Sequence, residues 1–255
     1  GGEGASRDVV VMGTCEALLE KLPEVIDWED VRDRNESDIS PLKVCLIQEI
    51  ERYNILLREV SNSVKLLQKG IRGFIVISKE QEAVMESLFQ GKVPLAWLFA
   101  YPSMKPLSSW MPDLIDRIEQ LNVWGFQGIP KVFWLGGLTY PTSFLTALLQ
   151  ASARKSMVSV DTLSFDFPVH QTEESQITAM PKDGAYVKSM ILEGAKWDNN
   201  QQALADAETM QLFNPMPLVH FKPVARKKVV TEGFYQCPLY LYPLRTGSRE
   251  RPSFM

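Results

Sequence analysis

The chain has 255 residues, 45% hydrophobic and 23% charged, with a formal net charge of −4. That composition supports one or two ordinary cores and excludes disordered, fibrous and collagen-like classes. It also supplies no general basic field, so nucleic acid and acidic membranes are excluded as main partners and proteins are expected instead.

Cys15, Cys45 and Cys237 are odd in number, far apart and free of C-x-x-C spacing. They read as small buried thiols in a reducing compartment, not as a disulfide framework or zinc cluster. No apolar run reaches the ~18 residues of a membrane span. The opening "GGEGASRD" is neither a signal peptide nor a Met start, and the expectation is a fragment of something longer.

Residues 1–39 read as a lead-in: "TCEALLEKL" forms a short helix, Pro23 interrupts it, and "WEDVRDRNESD" is acidic and polar. Ser40 then stands as N-cap with Pro41 at the first helical position. Apolar residues recur at Leu42, Leu46, Ile50, Tyr53, Leu57, Val60, Val64 and Leu67, steps of three and four that define one helical stripe. A helix from Pro41 to Gln68, ~42 Å long at ~1.5 Å per residue, is predicted as the spine, with Gly70 as terminator.

Ser78 with Gln81 three residues on is a capping box, opening a helix that carries Val84, Met85, Leu88 and Phe89 and stops at Gly91. Pro94, Pro102 and Pro106 then make "VPLAWLFAYPSMKPLSS" a turn-rich link with buried aromatics. Ser109 is the expected cap of a further helix, with Pro112 in its first turn, Leu114, Ile118 and Leu121 facing the core, and Trp124 and Gly125 at its end.

"FWLGGLTYPTSFLTALLQASARK", residues 133–155, has the outline of a phosphate cradle: an apolar stub, a glycine turn and a helix. A P-loop, however, needs a lysine and a hydroxyl residue directly after its glycine. Gly136 and Gly137 have neither, and Gly91-Lys92 is followed by Val93 with Glu86 at the first glycine position. The stretch is therefore read as scaffolding: the glycines let the chain turn, Pro141 opens the helix, and Phe144, Leu145, Leu148 and Leu149 bury its inner side. Arg154 and Lys155 complement its C-terminal dipole.

Beyond it the period becomes two. Leu163, Phe165, Phe167 and Val169 alternate with polar residues and Pro168 as in a half-buried strand, and Pro181-Lys182-Asp183-Gly184 is a turn before a run from Ala185 to Leu192. "MPLVHFKPV" and "FYQCPLYLYPLR" supply two more strands, with Pro217, Pro223 and Pro238 confined to ends, edges or bulges. Helices followed by strands predict an α+β arrangement.

No catalytic, cofactor-binding or metal-ligating residue is assigned. His170 and His220 lack H-E-x-x-H or cysteine neighbours, no G-x-S-x-G elbow exists, and Glu173-Glu174 sits in a polar loop. The run Arg226, Lys227 and Lys228, near Tyr235, Tyr240 and Tyr242, reads as a charged hairpin tip that keeps strands soluble, and the basic tail "RTGSRERPSF" as a mobile end.

The long helix "PLKVCLIQEIERYNILLREVSNSVKLLQKGIRGF", the link "YPSMKPLSSW", the 133–155 segment and the hairpin "DGAYVKSMILEGAKWD" occur in one order. Together they resemble the C-terminal domain of dynein heavy chains, and the ending "YQCPLYLYPLRTGSRERPSFM" resembles the axonemal branch. Gly136 and Gly137 stand where the family often has Ser-Gly, and Lys196 where it often has arginine; these differences bear on subtype.

The resemblance implies a helical subdomain (40–157) followed by a small incomplete antiparallel β-barrel (158–255). It implies a non-catalytic domain lying on the ring of AAA+ modules, with ATP and magnesium bound in modules outside this sequence. The expected partners are the ring modules of the same heavy chain, with other dynein subunits and microtubules engaged through the rest of the motor, and neither nucleic acid nor membrane. The location implied is the cytoskeleton, in the axoneme of a cilium or flagellum. The β half is expected to regulate minus-end-directed movement, the bundle biasing the tilt of neighbouring modules through apolar residues off the main stripe such as Cys45, Ile55 and Leu56. The residues by themselves leave open an independent protein-interaction scaffold, and behind it a hydrolase whose groups meet only in space.

Overall fold

A computed structural model of the protein describes residues 6–34 and 40–226, with the backbone of two short strands at 239–240 and 253–254. The chain divides into two compact units, Gly1–Ile129 and Pro130–Met255. The class is α+β, and the sheets of the described residues do not close into a barrel.

In the first unit α1 (Arg7–Lys21) is capped by the Ser6 hydroxyl and α2 (Trp28–Asp33) by the Asp27 carboxylate, which accepts from the amides of Glu29 and Asp30. These helices and the loop between them are more than a polar lead-in: Val11, Cys15, Leu18, Ile26 and Val31 are buried. The spine α3 (Pro41–Ile71) has 31 residues, about 46 Å of helix. Ser40 Oγ accepts from the Lys43 amide and Pro41 occupies the first turn, as its sequence requires. Its stripe from Leu46 to Leu67 is buried.

The terminator of α3 is not Gly70. Gly70 lies inside the helix, where an added Cβ would meet Ile77 Cγ1 at 2.6 Å, while Gly73, at φ +79°, turns the chain. Gly70 thus serves close approach and Gly73 the left-handed exit. Helix α4 (Lys79–Phe89) has the full Ser78–Gln81 capping box and is followed by Gly91 at φ +67°. Val84, Met85 and Leu88 are buried, whereas Phe89 is exposed beneath the Arg7 guanidinium.

Helix α5 (Leu107–Asn122) begins earlier than Ser109, with Pro106 at the cap and Pro112 inside it. Leu114, Ile118 and Leu121 face the core as the spacing demands. The helix widens into a π turn over Val123–Gln127. There Gly125 admits α2: a Cβ would stand 2.9 Å from Val31 Cγ2.

The second unit is built on a sheet of order β1-β4-β9-β2, with β3 also on β9. Its strands are β1 (Val132–Trp134), β2 (Leu163–Asp166), β3 (Val169–His170), β4 (Ala185–Lys188) and β9 (Leu218–Ala225), and α6 (Pro141–Ser156) packs near β2 and β9. β1 runs parallel to β4, a departure from an all-antiparallel sheet, and the other pairings are antiparallel.

β2 and β3 keep one register along β9, Leu163 opposite Ala225 and Val169 opposite Val219. They are a single strand interrupted at Phe167-Pro168. The amides of His220 and Arg226 bond the carbonyls of Pro168 and Thr162. In this alternation Pro223, opposite Phe165, has its nitrogen turned away from β2, toward the side where β4 has not yet begun, its first pairing being Ala185 with Phe221. A proline fits a central strand there because no ladder donor is required. The 185–192 run is also broken, at Ser189 with φ 61°, and continues as β5 (Ile191–Glu193), which pairs with β8 (Phe213–Pro215). β6 (Ala195–Asp198) and β7 (Ala203–Asp206) form a hairpin. β10 (Leu239–Tyr240) pairs with β11 (Ser253–Phe254).

Candidate functional site

In residues 133–155 the glycine pair lies in a tight turn, Leu135–Gly137, between β1 and α6. Neither glycine has a positive φ; at Gly136 the Trp134 indole comes close, its Nε1 3.1 Å from where a Cβ would be, so a side chain there would press on the indole. The first turn of α6 carries no acid or side-chain cap. Phe144 is fully buried with its ring centroid 4.6 Å from that of Phe133. The stretch is packed scaffold around an aromatic pair.

The folding of the second unit brings one serine, one aspartate and one histidine together. Ser152, buried on α6, donates to Asp183 Oδ2 at 2.7 Å, and His220 Nε2 lies 2.8 Å from the Asp183 carbonyl oxygen. Lys155 Nζ donates to the Lys182 carbonyl at 2.6 Å. A nucleophilic serine needs an imidazole to take its proton. Here the hydroxyl is bound to the carboxylate and the imidazole to a backbone carbonyl, so the wiring pins the Pro-Lys-Asp-Gly turn between α6 and β9. Gly184 completes that turn: at φ +77°, a Cβ would sit 2.0 Å from the Phe221 carbonyl oxygen.

His170 and His220 meet with ring centroids 6.0 Å apart, each at 5.1 Å from Tyr186. Cys15 and Cys45 are buried, and burial, reinforced by Glu16, pushes the Cys15 thiol up to about 11. Glu173 and Glu174 are exposed, and Glu174 pairs with Lys188 at 2.6 Å. Arg226 is exposed at the end of β9. Lys227, Lys228, Tyr235, Cys237, Tyr242 and residues 245–252 of the basic tail lie outside the described residues, as does the Tyr240 side chain, while the backbone of Ser253–Phe254 pairs with β10.

The densest polar cluster lies in the first unit. Arg117 Nε donates to Asp113 Oδ2 at 2.7 Å and Nη1 to Tyr53 Oη at 3.2 Å, and its guanidinium stands 3.9 Å from the Tyr101 ring centroid. Lys105 of the link holds the other oxygen of Asp113 at 2.5 Å. Burial opposes the Arg117 charge, but Tyr53 and Asp113 outweigh it and hold its pKa above the ordinary value. Burial likewise raises the Tyr53 and Tyr101 phenols, although Arg117 pulls them down. Trp110 stacks between Trp97 and Tyr101, and Trp97 Nε1 donates to Ser63 Oγ on α3 at 2.9 Å. The cluster thus clamps the proline-rich link onto α3 and α5, with Asp113 and Arg117 nearly dry. Spacing shows the Asp113–Arg117 pair at i,i+4, but the tyrosines come from distant segments.

Asn54 is a second buried clamp. Its Oδ1 accepts from the Ile26 amide at 2.8 Å and its Nδ2 donates to the Ile26 carbonyl at 2.7 Å. The signal in the sequence was a polar residue four positions after Ile50, on the apolar stripe itself.

Against these buried clamps stands an apolar surface. In the loop between α3 and α4, Phe74 is 74% exposed and Val76 93%, with Ile75 at 37%. Leu95 and Phe99 flank the buried Trp97 and point outward. Of the three off-stripe residues of the spine, Cys45 and Leu56 are covered within the chain and Ile55 is exposed.

The family model for the C-terminal domain of dynein heavy chains matches residues 1–254. The sequence is 50% identical over 255 residues to the dynein-1-beta heavy chain of the flagellar inner arm I1 complex of Chlamydomonas reinhardtii, covering 100% of this chain and 6% of that protein. It is 45% identical over 253 residues to dynein axonemal heavy chain 2 of Homo sapiens, covering 99% and 6%. Dynein axonemal heavy chain 1 of Rattus norvegicus is 38% identical over 251 residues, covering 96% and 6%. The chain therefore spans about 6% of the length of the curated relatives it matches. Matched from end to end by one domain model and by relatives of the same kind, it belongs to the family of C-terminal domains of dynein heavy chains.

Proposed function

We propose that this domain is a structural and regulatory part of an axonemal dynein heavy chain, packing on the face of the AAA+ ring and modulating ATP-driven, minus-end-directed movement along microtubules. ATP hydrolysis, with its magnesium, belongs in this reading to ring modules elsewhere in the heavy chain. The relatives' names, flagellar and axonemal, support the axoneme of a cilium or flagellum as its location. Other dynein subunits and the microtubule are reached through the rest of the motor.

The observation that carries the reading is the α3–α4 loop, which presents Phe74, Ile75 and Val76 to solvent. Loops between helices are ordinarily polar, and burying side chains of this size against a partner yields about 1.5–3 kcal/mol each. The first unit, braced by the Asp113–Arg117–Tyr53 clamp, holds that loop on a firm base. If it touches two states of the ring unequally, it shifts the balance between them. Deleting residues 130–255, one of the two units, from the full heavy chain tests this. Force, run length or ATPase rate should change; unaltered values in all three would refute the regulatory role.

A further inference from the structure

A groove of about 410 Å³ opens between the end of α1 with its following loop and the middle of α3, within the ~300–1,000 Å³ range of ligand sites. Its apolar lining comes from Leu19, Leu22, Val25 and Leu57. Arg58 and Lys65, seven residues apart on α3, stand along the other side with Ser61 and Asn62 between them. Both cations are exposed and neither is paired among the described residues, leaving two cations against the single carboxylate of Glu24 at the rim. The wall is held in place by the Asn54 bracket on Ile26.

We propose that this groove binds a short extended peptide segment with apolar residues flanked by carboxylates. Seven helical residues separate the two cations by about 10.5 Å along α3. In an extended strand, carboxylates at i, i+2 and i+4 span about 13 Å on one face, while i+1 and i+3 present apolar side chains to the opposite face. The cations reach over the rim on their long stems as the apolar side chains enter the floor. This charge complementarity selects an acidic partner over a neutral or basic one. The proposal is independent of the ring-packing reading.

The test uses the full heavy chain and a fluorescein-labelled five-residue peptide of sequence Glu-Leu-Asp-Leu-Glu, read by fluorescence polarisation. Saturable binding is expected, weakened at least ~10-fold by the double substitution Arg58→Glu and Lys65→Glu, and weakened by added salt. Ser61→Trp, which fills the groove while leaving both charges in place, should weaken it as well. A matched Lys-Leu-Lys-Leu-Lys peptide should not bind. The proposal is overturned if the acidic peptide fails to bind, if it binds both variants as it binds the parent, or if the basic peptide binds equally well.

Discussion

Replacing Asn54 by alanine removes both hydrogen bonds of the Ile26 bracket while leaving Ile26 in place, 4% exposed. Two backbone groups then lose their partners in a site that water reaches poorly, at about 1–3 kcal/mol each. A loss of about 2–6 kcal/mol follows, set against the ~5–15 kcal/mol total of an ordinary domain. Urea denaturation should show the midpoint falling accordingly, and hydrogen exchange should show the Ile26 amide losing its protection. Asn54→Asp supplies the diagnostic. Its carboxylate still accepts from the Ile26 amide but faces the Ile26 carbonyl with a second acceptor, so burial and that contact raise its folded-state pKa above the unfolded value. The charged form is the destabilised one, so the deficit against the parent is fullest at neutral pH and shrinks as pH falls through the raised pKa, when the protonated oxygen donates to the carbonyl. An Asn54→Ala change within ~0.5 kcal/mol of the parent, or an Asn54→Asp deficit that does not vary with pH, would refute the bracket as a stabilising element.

Three further outcomes follow from the geometry. Gly184→Ala forces a side chain into a left-handed position with its Cβ 2.0 Å from the Phe221 carbonyl oxygen. It should cost ~3 kcal/mol or more and strip exchange protection from β4 and β9. Asp113→Ala takes the Asp113 carboxylate away from Arg117, 11% exposed, and breaks a nearly dry ion pair, so a loss of up to about 3–5 kcal/mol in thermal or urea unfolding is expected. The Cys15 thiol, raised by burial and Glu16 to about 11 from 9.0, contributes stability that is complete below pH ~9 and is lost as pH rises from there through ~11. Cys15→Val should flatten the part of the alkaline limb that begins near pH ~9, leaving the fall due to Tyr53 and Tyr101, which sets in near pH ~10 where the unfolded phenols ionise and continues upward.

The local parts of this fold were legible in the sequence because local chemistry determines them. Ser40-Pro41 and Ser78-Gln81 start helices wherever they stand before a stripe, and both helices begin there. The start of α5 was misread because Ser109 offered a better cap than Pro106, and in the fold the backbone enters the helix one turn earlier, with the Leu107 amide bonded to the Gly91 carbonyl. The roles of Gly70 and Gly136 were invisible because they depend on how the following turn folds Ile77 back onto α3 and on where the neighbouring Trp134 indole points, which residue types and spacing do not specify. Alternation located the strands but not the break at Ser189 or the parallel pairing of β1 with β4, which depend on segments some fifty residues apart. The two buried clamps and the groove escaped for the same reason: Tyr53 meets Arg117, and Asn54 meets Ile26, only after α3 has packed.

On the function proposed, the apolar α3–α4 loop seats on the ring of its own heavy chain. A photo-crosslinking benzophenone amino acid placed at Phe74 in the full heavy chain, with parallel probes at Leu95 and Leu204, tests it by mass spectrometry of the linked peptides. The account predicts crosslinks from position 74 to AAA+ modules of the same polypeptide. Crosslinks from that position only to another protein, or none while the other probes link to the ring, would contradict it.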